Sequence, residues 1–262
     1  MTEGTSPGPL RAVLVAVEGV LAPFESVRAW QWAWRPQGPL LGERRTQTIL
    51  RRAERAWDQR RWAGVVGRAA PSDQAALREH LAGTLAAIAG HPLPAAETDA
   101  VVRRMLRPTG EVERYEEVPA EIERLRASGL AIGAASVLPS ESARWLLHRV
   151  GLDAVPLLAH GDDPAATLPA PEPFRSAAGG LGAEPASTVF VGSLYWSDVR
   201  AAQRAGLRGW LIDRRNLWPH VRSGRSGSLA GLAAALREPG PPGPLDGPEP
   251  SSSGAPPSGD FL

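Results

Sequence analysis

The chain has 262 residues, 43% of them hydrophobic, a net charge of +1 and no cysteine. That length can bury one substantial core plus a smaller second unit. The near-neutral charge leaves no basic footprint for nucleic acid, and the missing thiols exclude disulfides, cysteine nucleophiles and thiolate metal sites. All 29 basic residues are arginine, so any role that calls for lysine falls to a guanidinium, with its fixed fork and permanent charge, or goes unfilled.

In chain order, residues 1–9 are small and polar, without the charged start and apolar run of a signal peptide. No stretch approaches the ~20 apolar residues that cross a bilayer. A soluble, cytoplasmic protein without membrane partners is expected. Val13 to Val17 reads as a buried strand that ends in a glycine turn. Residues 25–114 show no strand pattern, only helical ones: around Leu41 to Val66, from Ser72 to Ile88 with Ser72 as N-cap, and from Ala96 to Leu106.

Beyond this helical stretch, strands and helices alternate. Pro119 opens a helix with Ile122, Leu125 and Leu130 on its apolar face and Gly129 at its end, followed by a strand over Leu130 to Ala135. Pro139 and Ser140 start a helix through Trp145, Leu146 and Leu147 that Gly151 closes. Further short apolar runs are Val155 to Ala159, Thr188 to Val191 and Gly209 to Ile212. This rhythm predicts a parallel sheet covered on both faces. Residues 239–262 are rich in Pro, Gly and Ser, with too few apolar groups to offset ordering entropy, and read as a disordered tail, first as a simple extension and only second as a Pro-rich ligand for a partner's groove.

Four short segments stand out along the alternating part. They are Ala16-Val17-Glu18-Gly19-Val20, Ser136-Val137-Leu138-Pro139, Leu168-Pro169-Ala170-Pro171-Glu172-Pro173-Phe174, and Val191-Gly192-Ser193 with Asp198 five residues on. Together they resemble, in order, the four motifs of the haloacid dehalogenase-like hydrolases, over residues 11–214. The resemblance implies an α/β, Rossmann-like parallel sheet in three layers, formed by residues 10–24 and 115–238, with residues 25–114 as an inserted all-helical cap.

The resemblance also implies a chemistry that this chain departs from. In the family an Asp at the position of Ala16 is the nucleophile, a second Asp at Glu18 is the acid and base, and a lysine at Leu168 balances charge. An Asp at Ser193 helps to hold magnesium. Ser136 keeps a hydroxyl suited to a phosphoryl oxygen, and Asp198 keeps a carboxylate, read here as a remnant that supports its loop rather than a metal ligand. Loss of a nucleophile alone removes roughly 10⁴–10⁶ in rate, since such groups act as a unit. The expectation is a non-catalytic binding, scaffolding or regulatory subunit with no cofactor. Two alternatives stay open: a divergent hydrolase or phosphatase using Glu18 and Ser136, with Mg²⁺, and a small-ligand sensor using the emptied crevice.

None of the five histidines has a metal-ligand spacing, and His160-Gly161-Asp162-Asp163 reads as a solvated loop. Five of the nine tryptophans fall in the helical stretch, where Trp30, Trp34, Trp57 and Trp62, with Arg60 and Arg61, are candidates for a surface that takes a protein partner.

Overall fold

The structure is a computed structural model that describes residues 8–35, 42–66, 74–107, 114–162 and 168–237. Ser72, Asp163 and the tail 239–262 lie outside the described residues.

Five short strands are built from β-branched and small apolar residues: β1 (Ala12–Ala16), β2 (Ala131–Ala135), β3 (Leu157–Ala159), β4 (Thr188–Gly192) and β5 (Arg208–Ile212). A two-residue strand, β6 (Arg225–Ser226), was not expected from sequence, because Arg-Ser carries no apolar signal. All pairings are parallel, in the order β3-β2-β1-β4-β5-β6. β1 and β4 are buried along their whole length, as central parallel strands sandwiched between helices require.

The insert after β1 holds, among the described residues, helices and no strand: α1 (Val27–Trp34), α2 (Glu43–Val65), α3 (Gln74–Ala89) and α4 (Ala95–Leu106). Ser26 caps α1, its side chain accepting from the Ala29 amide at 3.1 Å. The flanking helices are α5 (Val118–Ala127), α6 (Ser140–Arg149), α7 (Pro171–Gly180), α8 (Ala201–Arg204) and α9 (Leu232–Ala235). Pro171 opens α7, where a missing N–H costs nothing in the first turn. The sheet and its helices are the Rossmann-like α/β architecture expected. No helix among the described residues is long and apolar enough to cross a membrane.

Candidate active-site crevice

The chain leaves β1 towards β2 and β3, then crosses back to place β4 on the other side of β1. The carboxyl ends of β1 and β4 therefore form a topological switch point, where ligand crevices of open α/β sheets lie. Ala16 ends β1, Ser136 follows β2 and Ser193 follows β4, so all three stand at that edge. After Ala16 the chain makes a tight turn in which the Gly19 amide donates to the Ala22 carbonyl at 2.8 Å. Gly19 has φ +75, and a Cβ there would sit 2.6 Å from Ser193 Oγ, so both conformation and space demand glycine.

The polar groups of this edge are bound to one another. Ser136 Oγ donates to the Glu18 carboxylate and accepts the Leu138 amide at 3.0 Å. Ser193 Oγ donates to the Glu18 carbonyl at 3.2 Å. Asp198 sits on a π-helical turn, Tyr195–Arg200, and its Oδ2 accepts the amides of Ser193 and Leu194, each at 3.1 Å. Burial raises the Glu18 carboxyl pKa, while the Ser136 bond opposes the shift. Burial likewise raises Asp198, with Arg61 and the two amides opposing.

The cap closes over this edge with charged side chains. Arg61 reaches from α2, its Nη1 donating to Asp198 Oδ1 at 3.3 Å and to Ser197 Oγ at 3.1 Å. Its side chain is 1% exposed, and its Nε and Nη2 have no hydrogen-bond partner among the described residues. One turn earlier, Asp58 accepts the amides of Trp196 at 3.0 Å and Ser197 at 2.7 Å. Arg215 joins Glu54 at 2.8 Å and the Glu25 carbonyl at 2.7 Å. Glu25 meets His80 Nε2 at 2.9 Å, and Trp57 stacks on the same imidazole at 4.8 Å. Burial works to raise Glu25, but the charge and hydrogen bond of His80, with help from Arg215, hold it below the usual carboxylate range. The remaining cavity is about 80 Å³, with Ala16, Leu168, Phe24 and Tyr115 among its walls.

The haloacid dehalogenase-like hydrolase family matches the chain over residues 12–206. The chain belongs to this family. No curated protein matches it significantly by sequence. Among solved structures it is similar to the HAD-hydrolase YfnB from Bacillus subtilis bound to magnesium, with TM-score 0.65 and 16% identity over 88% of this chain and 100% of that one. It is also similar to the L-2-haloacid dehalogenase from Xanthobacter autotrophicus with chloropropionic acid covalently bound, with TM-score 0.62, 19% identity and coverage of 87% and 98%. A predicted phosphoglycolate phosphatase from Haemophilus somnus gives TM-score 0.54 at 18% identity, covering 78% and 85%. At such identities the likeness concerns the fold.

Within this haloacid dehalogenase-like frame, Ala16, Glu18, Ser136, Leu168, Ser193 and Asp198 all line the one crevice. Ser136 both donates to Glu18 and accepts a backbone amide. Asp198 braces its own loop through two amides.

The cap candidates divide differently. Trp30, Trp57, Trp62 and Arg61 are buried, which removes them from any recognition surface. Trp62 packs on Trp196 at 5.5 Å, and Arg61 turns inward because Asp198 draws its charge. Trp34 is half-buried, and Arg60 is exposed and paired with Glu79 at 2.6 Å. Sequence reasoning missed Glu25, Glu54, Asp58, His80 and Arg215. Only Glu54 and Asp58 carried a signal, charge at helical spacing on α2, which a solvated helix face would also show.

The family resemblance implies magnesium at this edge. Mg²⁺ needs near-octahedral oxygen coordination. Ala16 offers a methyl group, the Glu18 carbonyl already accepts Ser193 Oγ, and the Asp198 carboxylate accepts two amides and a guanidinium. These residues do not fit a divalent cation. Among the described residues, no group of three or more His, Asp and Glu is arranged to hold a metal elsewhere.

Proposed function

We propose that this haloacid dehalogenase-like chain is a non-catalytic member of its family that works as a binding or regulatory subunit and uses no metal. The observation that carries the reading is the methyl group of Ala16 at the crevice floor, the place from which the family's nucleophile attacks. Around it Leu168 supplies no countercharge, and the remaining carboxyls are tied up in internal hydrogen bonds. A covalent step needs an activated nucleophile with a base in reach, and Ala16 offers none.

The purified protein is expected to show no Mg²⁺-dependent phosphatase turnover and no release of halide from 2-haloacids. Turnover that is lost on Glu18→Ala would overturn the reading.

A second reading has one specific observation in its favour. The Ser136 hydroxyl donates to the Glu18 carboxylate at the crevice wall, so a hydroxyl and a base are already paired. In a divergent hydrolase, Glu18 would take a proton as Ser136 or a water attacked the substrate. Burial raises the Glu18 carboxyl, so such activity would grow with pH as that group ionised. Hydrolysis with this pH profile, abolished equally by Glu18→Gln and Ser136→Ala, would establish it.

A further inference from the structure

Arg61 is placed for its charge rather than for its hydrogen bonds. An arginine that filled space in a cap interface would pair most of its five N–H groups, because a buried unpaired donor is costly. Here, among the described residues, Nη1 alone is bonded, to Asp198 and Ser197, while Nε and Nη2 are buried without partners. The guanidinium lies 5.7 Å from the Trp57 ring centroid and also acts on the Glu18 carboxyl, whose ionised form it favours. One positive charge therefore serves the two crevice carboxyls that flank β1 and β4. Those are the carboxyls left at an edge whose oxygens fail the requirements of Mg²⁺.

From this disagreement we infer that Arg61 is the resident cation of the acidic turn: a charge delivered by the cap, which takes the place of a divalent metal and holds cap and core closed together. The inference rests on the non-catalytic reading and adds the means by which the crevice is kept shut. Asp58, three residues before Arg61 on the same face of α2, anchors the same π-helical turn through two amides. Cap and core thus meet at Tyr195–Arg200 through one anion on the cap and one on the turn, with Arg61 bridging to the latter.

The test restores the lost carboxylates and asks whether Arg61 still bars the metal. Thermal melting of full-length Ala16→Asp/Ser193→Asp is compared with and without Mg²⁺, in the presence of Arg61 and with Arg61→Met added. Met keeps the apolar stem and removes the charge. The double variant is expected to show no Mg²⁺-dependent shift, and the triple variant a rise of ~5 °C or more at a saturating 100-fold excess over its Kd. A Mg²⁺-dependent rise in the double variant, with Arg61 in place, overturns the inference.

Should the triple variant not fold or not respond, hydrogen exchange of Asp198→Asn decides. Loss of the Arg61 partner should lower protection of the Trp196 and Ser197 amides by ~10-fold or more while β1 amides hold. Unchanged protection there also overturns the inference. Both readouts are independent of turnover, so the result stands apart from whether the wild-type chain hydrolyses anything.

Discussion

Ser193 Oγ donates to the backbone carbonyl of Glu18 at 3.2 Å, joining the turn after β4 to the turn after β1. The bond crosses the switch point of the sheet and ties off an oxygen that the fold would otherwise direct into the crevice. Ser193→Ala leaves that carbonyl without its partner and should cost about 1 kcal/mol in urea denaturation. Ser193→Asp sets a carboxylate against the same carbonyl oxygen and should cost more. If Ser193→Asp proves neutral, the bond is not holding the two turns.

Gly19 lies under that bond. Its φ of +75 is a left-handed conformation, and an added Cβ would stand 2.8 Å from Ser193 Cβ as well as 2.6 Å from Oγ. Gly19→Ala therefore combines backbone strain with a steric conflict and should destabilise by ~1–3 kcal/mol. Gly19→Ala combined with Ser193→Gly removes the clash and should recover part of the loss. The recovery, read as a non-additive double-mutant cycle, separates the two causes.

What the sequence carried about this site follows from which interactions are local. The motif segments at Ala16, Ser136, Leu168 and Ser193 each sit at a strand end or in the loop before a helix, where apolar runs and turn residues mark the boundary. The sheet therefore brings them together wherever the cap lies. The strands at Val13, Thr188 and Gly209 were legible because central parallel strands are continuous apolar runs. The inward turn of Arg61 was not legible. Its partner Asp198 is 137 residues away, and on α2 it is one of several arginines with the same spacing. Glu25 and His80, 55 residues apart, escaped for the same reason. The π-helical turn at Tyr195–Arg200 has no pattern of its own, and its amides are fixed by Asp58 from the cap.

Asp58 is expected to be the costliest single cap residue to lose. It is fully buried and accepts two amides of the π-helical turn, at 3.0 and 2.7 Å. Asp58→Ala leaves both donors buried without partners, at ~1–3 kcal/mol for each group. Asp58→Asn keeps an acceptor oxygen for one amide and should lose about half as much. Urea midpoints of the two variants check the ranking, and equal losses would mean that charge rather than amide acceptance sets the cost.

Glu54 makes stability depend on pH in a direction opposite to that of an ordinary salt-bridged carboxylate. Burial raises its pKa from 4.5 to about 7, against the pull of Arg215 at 2.8 Å and with Glu25 adding to the rise. Below 4.5 the group is protonated both in the folded and in the unfolded chain, so its contribution is fully present there. Between 4.5 and about 7 the unfolded chain releases the proton while the folded chain keeps it, so folding stability falls as pH rises. Asp58, raised by burial from 3.8 to about 6, adds a slope of the same sign over a lower window. Glu54→Gln removes the first of these slopes. Relative to the variant, the wild-type chain should lose roughly 1 kcal/mol per pH unit between about pH 5 and 7, and nothing further above that. Urea denaturation of both proteins at pH 5, 6, 7 and 8 measures the difference. A wild-type chain that gains stability over the variant across this window would show that the Arg215 pair, and not burial, governs Glu54.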